Sequence, residues 1–594
     1  MATLFPASET APPSYGQRLT QFVPIIGVIR NYKRDDLSGD LIAGLIVAIM
    51  LIPQGMAYAL LAGLPPQQGL YASILPVLLY GVFGTSRYLA VGPVAIVSLL
   101  TAASVGALAE GGSAEYVQIA ITLAFLVGIF QTAMGLFRAG FLVNFLSHPV
   151  ISGFSSAAAI VIGFSQVKSL LGISIPRSEH FYEQVIDVIR HLPNINWITF
   201  SMGIAGIFIL LFFKQQLPAL LTQRGVTHQL ATPISNSAPL LIVLLGALLV
   251  MLFQLDQSAD VGIVGAVPAG LPQFTQPNFD FGTWQTLLAT ALAISFVGYM
   301  ESYSVAKSLA SRRRSRTSQR EKVTANQELI ALGLANIGAT FTGGYPVTGG
   351  FSRSLVNFSA GARTTVASII TAILIGISVL FLTPLFYYIP KTMLAAIILV
   401  AVSGLFDAKT MQHVWQYNKR DAAALFVTFF AVLGLGVENG IIVGAVTSLI
   451  MFIARTSNPH VAIIGRLPNS DFYRNVKRHN VQTWPEVAML RIDASLYFAN
   501  TKLFEDTIAE IVASQCELKH LILVGTAIND VDYTAVEELE AIWQELHTLG
   551  IELHLAAFKG PVLDRLANSH LLHHLGDDHV HLTTHAAMQT LGFV

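Results

Sequence analysis

Arg353 stands in Gly350-Phe351-Ser352-Arg353-Ser354, ahead of the apolar residues Leu355, Val356 and Phe358. A guanidinium at membrane depth costs at least about 2.5–3.5 kcal/mol on insertion scales, so it needs a partner or a wet cavity. Its planar fork of donors grips two oxygens of a tetrahedral oxyanion at once, and Ser352 and Ser354 add hydroxyl donors beside it. The alternative is an arginine that pins a helix through a backbone carbonyl. Glu301 is a second charge in an apolar run, after Ala291–Met300 and before Ser302-Tyr303-Ser304-Val305-Ala306-Lys307. Desolvation and a neighbouring cation pull on such a carboxyl in opposite directions, which lets it exchange a proton. Ionised, Glu301 would pair with Arg353 and compete with a bound anion; protonated, it would release the guanidinium. A permanent Glu–Arg strut is the other reading. In Pro53-Gln54-Gly55-Met56-Ala57-Tyr58, Gln54 and Tyr58 stand at i and i+4, on one face of a helix. They either donate to an oxyanion or bridge neighbouring helices.

Two short segments would position these groups. Val91-Gly92-Pro93-Val94-Ala95-Ile96-Val97-Ser98 and Tyr345-Pro346-Val347-Thr348-Gly349-Gly350-Phe351-Ser352-Arg353-Ser354 are both interrupted by Gly and Pro. They occupy corresponding places in two halves of about seven spans each, the signature of an inverted repeat with its site at the bilayer midplane. A helix that starts in mid-membrane aims unpaired N–H groups and a partial positive charge at the cavity. Two such ends facing one another make an anion site. Gly-Pro pairs also make simple kinks, which is the bland alternative.

The composition suits that setting. Of 594 residues, 53% are hydrophobic and 12% charged, against about 25% charged in an ordinary soluble protein. A net charge of −1 provides no field to recruit nucleic acid. The single cysteine, Cys516, excludes an intramolecular disulfide framework and a cysteine-based zinc cage. No nucleophile–base pair or phosphate loop is present, so neither an enzyme nor a bound cofactor is expected. Residues 1–40 contain no apolar core of signal-peptide length and read as a cytoplasmic segment. Hydrophobic runs begin at Leu41–Ala62 and fill 41–456, with about fourteen spans.

Basic residues collect at Arg18, Arg30, Lys33 and Arg34, Arg87, Arg138, Lys214 and Arg224, 312–322, Arg363, Lys409, Lys419, Arg420 and Arg455. Loops 109–115, 257–283, 343–350 and 437–440 contain no Lys or Arg. Basic residues stay on the cytoplasmic side, so both termini are expected there. Lys391 and the stretch 168–190, with Lys168, Arg177 and Arg190, run against the pattern. That stretch reads as an amphipathic segment outside the bilayer core.

Pro53-Gln54-Gly55-Met56-Ala57-Tyr58-Ala59, Gly63-Leu64-Pro65-Pro66-Gln67-Gln68-Gly69-Leu70-Tyr71, Phe83-Gly84-Thr85-Ser86-Arg87 and Val91-Gly92-Pro93-Val94-Ala95 follow one another in order. This combination resembles the sulfate permease (SulP) family. Thr348-Gly349-Gly350-Phe351-Ser352-Arg353-Ser354-Leu355-Val356-Asn357 and Glu301–Lys307 look closest to its plant-type proton/sulfate symporters. The resemblance implies a polytopic α-helical membrane protein of 7+7 inverted-repeat design, with core and gate domains, an elevator-like movement and homodimers. It implies anion contacts at Gln54, Tyr58, Ser352, Arg353 and the helix starts Val94, Ala95 and Phe351, with Glu301 as the proton-coupling residue. Sodium-coupled members have Asp with Thr four residues later; here the pair is Glu301 and Val305. The expected function is symport of sulfate with protons across a plasma or bacterial inner membrane. Bicarbonate, chloride or dicarboxylate exchange, or anion sensing without transport, are the alternatives on the same scaffold.

From 457 to 594 the pattern is that of a soluble α/β unit. Val487–Ile492, His520–Val524 and Glu552–Ala556 read as strands, and Leu503–Ser514 and Ala535–Leu549 as amphipathic helices. This part resembles the STAS domain of anti-sigma-factor antagonists and of SulP transporters, through Arg491-Ile492-Asp493-Ala494-Ser495-Leu496-Tyr497-Phe498-Ala499-Asn500. The antagonist motif Asp-Ser-[Ser/Thr]-Gly becomes Asp532-Tyr533-Thr534-Ala535, with Tyr533 at the usual phosphoserine position. His570, His573, His574, His579, His581 and His585 fit no standard metal-ligand spacing and read as a solvated helix end, so no metal site is expected.

Overall fold

The computed structural model describes residues 20, 22–141, 147–175, 181–225, 234–313 and 323–594. Arg18, Arg177 and most of the basic insertion 312–322 lie outside them. The chain divides into two compact units, 1–448 and 449–594.

The first unit is helical. Its opening half contains α1 (Arg34–Leu61), α2 (Leu75–Phe83), the two-residue strand β1 (Val91–Gly92) and α3 (Ala95–Gly106). These are followed by α4 (Ala114–Leu136), α5 (His148–Ser165), α6 (Trp197–Gln215) and α7 (Ala238–Phe253). The second half has α8 (Phe281–Arg313), α9 (Ala325–Phe341), β2 (Thr348–Gly349) and α10 (Phe351–Ser359). Then come α11 (Val366–Phe381), α12 (Lys391–Val402), α13 (Lys419–Leu435) and α14 (Val437–Ser457), which runs on into the second unit. Among the described residues, six helices are long and apolar enough to cross a bilayer, and four shorter ones are apolar.

Local chemistry explains where these helices begin. Asp35 and Asp36 occupy the first turn of α1, where negative charge complements the helix dipole. The Asp36 carboxylate also accepts from the backbone N–H of Lys33 at 3.1 Å. Ser113, ahead of α4, accepts from the Tyr116 N–H at 3.1 Å and caps it. Leu244, Leu248, Met251, Leu252 and Phe253 of α7 are exposed, as are Phe430 of α13 and Ile450, Phe452 and Ile453 of α14. Such apolar surface is stable against hydrocarbon rather than water.

The second unit contains a six-stranded sheet of order β4-β3-β5-β6-β7-β8. Its strands are β3 (Val461–Arg466), β4 (Tyr473–Asn475), β5 (Val487–Ile492), β6 (His520–Val524), β7 (Glu552–Ala556) and β8 (Val580–His581). Strands β5 to β8 run parallel, and β3 pairs antiparallel with β4 and β5. The parallel strands are joined by crossover helices, α15 (Thr501–Ser514) before β6 and α16 (Tyr533–Thr548) before β7. Leu521, Ile522, Leu523 and Val524 are all buried, as a strand covered on both faces requires. Leu521, Leu523, Leu553 and Leu555 pack with Phe504, Ile508 and Ile542 on one face. Ile522, Val524 and Met489 pack with Met588 of α18 (Thr584–Thr590) on the other; α17 (Leu571–Leu575) lies between β7 and α18 in the chain.

Candidate anion site

The two interrupted segments meet. β1 pairs antiparallel with β2, Val91 opposite Gly349 and Gly92 opposite Thr348, and the Gly350 N–H donates to Ala90 O at 3.1 Å. A helix starts immediately beyond each strand. Val94 and Gly350, the residues ahead of α3 and α10, are extended and neither provides a side-chain cap. The first N–H groups of both helices therefore lack side-chain partners, and the positive ends of both dipoles are left uncompensated.

Neighbouring helices hold the crossing rigidly. Ser302 of α8 accepts from the Gly349 N–H at 2.8 Å and donates to Thr348 Oγ1 at 2.7 Å; Thr348 in turn donates to Gly298 O at 2.6 Å. Asn336 of α9 brackets Val347, accepting from its N–H at 2.7 Å and donating to its carbonyl at 3.1 Å. Ser354 donates to Gly350 O at 2.7 Å and accepts from the Ala90 N–H at 2.9 Å. Its hydroxyl is thus committed to the backbone and, contrary to the simplest reading of the motif, is not left for a ligand.

Arg353 lies at the centre of the crossing with 2% of its surface exposed. Its Nη1 donates to Gln54 Oε1 at 3.4 Å, while Nε and Nη2 are buried with no acceptor among the described residues. Glycine makes room for it from both halves. A Cβ at Gly350 would sit 3.1 Å from the guanidinium carbon, and one at Gly92, where φ is +150°, would sit 3.4 Å from Nη2. Gln54 is buried on α1 and turns its oxygen to Arg353, so its amide N–H groups remain to donate elsewhere. Tyr58, one turn further along, is buried and interacts electrostatically with both Arg353 and Glu301. Val94 and Ala95 are buried at the start of α3, and Phe351 is 44% exposed at the start of α10. Ser352 is exposed in the first turn of α10.

Glu301 feels the Arg353 charge, yet no ion pair within 4.0 Å joins them. Its Oε2 is buried without a hydrogen-bond partner among the described residues. Two other buried carboxylates escaped the sequence reading. Glu328 of α9 accepts from Tyr80 Oη (2.8 Å), the Thr85 N–H (2.7 Å), Thr85 Oγ1 (2.6 Å) and the Ser86 N–H (3.2 Å). Asp40 of α1 accepts from the Arg363 N–H (2.7 Å), the Thr364 N–H (2.9 Å), Thr364 Oγ1 (2.5 Å) and Tyr32 Oη (3.1 Å). Both stand at the polar leading edge of an apolar run rather than within it, so the signal that marked Glu301 was weaker for them.

A cavity of about 710 Å³ begins near the site, with Ala57 and Leu99 among its lining residues. Ala57 is beside Tyr58, and Leu99 is one turn beyond Ala95. The cavity runs between α1 and α3 on one side and α5, α12 and α14 on the other, and its lining includes Lys168, Lys391 and Glu438. The two lysines that run against the charge pattern therefore share one cavity. In the second unit, Asp532 caps α16 by accepting from the Ala535 N–H at 2.9 Å, and it also accepts from the Phe498 N–H at 2.9 Å. Tyr533 is 76% exposed.

Two paired short strands thus lead into two helices whose starts lack a side-chain cap, with one buried arginine between them. Murine Solute Carrier 26 family member A9, an anion transporter solved in the inward-facing state, superposes with a TM-score of 0.89 at 25% identity over 99% of this chain and 97% of that one. The chain belongs to the sulfate permease family, which it matches over residues 37–428, and it carries a STAS domain over 478–587. It is 38% identical to sulfate transporter 4.1, chloroplastic, of Arabidopsis thaliana, over 95% of this chain and 82% of that protein. It is 31% identical to high affinity sulfate transporter 2 of Stylosanthes hamata, over 97% and 87% respectively.

Proposed function

We propose that the protein imports sulfate together with protons across a plasma or bacterial inner membrane. The observation that carries this reading is Arg353: a buried guanidinium with Nε and Nη2 unpartnered, between two uncapped helix starts. Unpaired donors on a buried charge are costly, and a tetrahedral dianion is the ligand whose oxygens answer them. Gln54, Tyr58, Ser352 and the backbone at Val94, Ala95 and Phe351 complete the shell. The names of the curated relatives favour sulfate among the oxyanions.

Glu301 is the proton carrier in this scheme. Protonation removes its competition for Arg353, and deprotonation on the inner side restores it. One proton leaves the sulfate complex with a charge of −1, and import against an inside-negative potential costs about 2.3 kcal/mol per 100 mV. A second proton or the chemical gradients supply the difference. About fourteen spans in a 7+7 inverted repeat across 41–456 would divide into core and gate and move as an elevator in a homodimer. Segment 1–40 and the STAS domain, 457–594, would lie in the cytoplasm. In that orientation the cavity with Lys168 and Lys391 opens outward, since it adjoins loops 109–115 and 437–440, which contain no Lys or Arg.

Uptake of radioactive sulfate into proteoliposomes, with and without an inward proton gradient, tests the reading. Accumulation that requires the gradient and fails in Arg353→Ala is the expected result. Uptake indifferent to the gradient would return Glu301 to a structural role.

A further inference from the structure

Three ionisable residues of the second unit come together from two adjacent strands. His520 opens β6 and Glu552 opens β7, and the two are register partners in the parallel pair. His554 lies two residues beyond Glu552 on the same strand and so on the same face of the sheet. His520 Nδ1 stands 3.1 Å from Glu552 Oε2 and 3.3 Å from His554 Nε2. The third edge, His554 Nε2 to Glu552 Oε2, is 3.7 Å. Ligand atoms on a tetrahedral Zn²⁺ at about 2.0–2.1 Å are separated by about 3.3–3.4 Å, so the triangle has the size of one face of such a coordination sphere.

Protons alone account for this arrangement poorly. Each neutral imidazole has a single N–H, so His520 and His554 bring at most two hydrogens to the three edges. The second nitrogen of His554, Nδ1, faces His581 Nε2 of β8 at 3.4 Å. With its proton on Nδ1 and donated to His581, His554 presents a bare lone pair at Nε2. This is how a metal-binding histidine is normally oriented, by a partner on its other nitrogen. The His579 ring stacks on that of His554, with centroids 4.7 Å apart, and restricts its rotation. His554 is 3% exposed and Glu552 55%, so the cluster is anchored at one end and open at the other.

We propose that His520, Glu552 and His554 form a transition-metal site, with Zn²⁺ the ordinary occupant and His581 orienting His554 from outside the coordination sphere. Two imidazole nitrogens and one carboxylate oxygen suit Zn²⁺ and its late first-row neighbours rather than Mg²⁺ or Ca²⁺. The exposed side leaves the fourth position to water, which makes the site exchangeable rather than closed. A bound ion would tie the starts of β6 and β7 together. Nothing in this proposal depends on the anion carried by the membrane unit.

The test uses the full-length protein, purified in detergent without a polyhistidine tag and stripped with a chelator. Co²⁺ is added first for its visible absorption, followed by Zn²⁺ in competition with a chromophoric chelator. The expected result is a tetrahedral Co²⁺ spectrum, displaced by Zn²⁺, that is lost in Glu552→Gln and in His520→Gln. His581→Gln weakens affinity by about 10–100-fold, and His573→Gln, on α17, leaves it unchanged. Glu552 is exposed enough for Glu552→Gln to fold, and an unaltered circular dichroism spectrum checks this. Absence of a tetrahedral spectrum in the wild type, or its persistence in a folded Glu552→Gln, would overturn the proposal.

Discussion

Two kinds of buried acid lie in the membrane unit, and the difference between them separates structure from function. Glu328 and Asp40 each accept four hydrogen bonds, three of them from the loops that follow α2 and α10 respectively and the fourth from a tyrosine, Tyr80 or Tyr32. Their oxygens are occupied by fixed donors from distant parts of the chain. Among the described residues, Glu301 has a buried oxygen with no partner, and Arg353, whose charge it feels, has two unpartnered nitrogens. Groups left unsatisfied in this way are free to exchange partners. The saturated acids hold the scaffold, and the unsatisfied pair is the one proposed above to work within it.

The largest effect expected from this contrast is at Arg353. Arg353→Ala should abolish sulfate uptake while leaving the protein folded, a loss of about 2–5 kcal/mol in anion binding. Arg353→Lys should recover only part of it, since an ammonium lacks the fork. Substrate binding to purified protein checks both. Next in size, Glu328→Ala should lower stability by about 3 kcal/mol by stranding buried donors, seen as a lower thermal midpoint in detergent. Glu301→Gln should leave that midpoint unchanged, and an equal loss of stability in the two variants would break the distinction.

Glu301→Gln should instead flatten the pH dependence of uptake, which for one coupled proton reaches about tenfold per pH unit. Retention of the full dependence would move coupling elsewhere. The smallest effect belongs to the cavity. Lys391→Gln should slow uptake by about 2–5-fold at low salt and by less as salt rises, because a focused charge steers ligands only within the screening length.

Much of this architecture was legible in the residue order. The apolar run from Leu41 became α1, the Gly-Pro and Gly-Gly breaks became β1 and β2, and the strands read at Val487–Ile492, His520–Val524 and Glu552–Ala556 appear at those residues. Backbone physics acts locally in each case: proline removes a donor, glycine admits the close approach, and an apolar run of strand length must be covered. The partners of the charged groups were not legible. Arg353 meets Gln54 across 299 residues, and Glu328 meets Thr85 across 243. Ser354 looked like a ligand donor in its motif, and only the return of Ala90 beside it shows that its hydroxyl is occupied.

The histidines make the same point from the other side. Counting along 570–585 gave no metal-ligand spacing, because the residues that converge, His520, Glu552, His554 and His581, come from three strands brought side by side by parallel pairing. By itself the sequence determined what must leave water, where helices must break and which strands must be covered, since those depend on neighbouring residues and the solvent. The tertiary structure alone decided which charges were satisfied, that Lys168 and Lys391 would share a cavity, and which histidines would meet. Electrostatics and coordination act through space at a few ångströms, and chain order does not encode that distance.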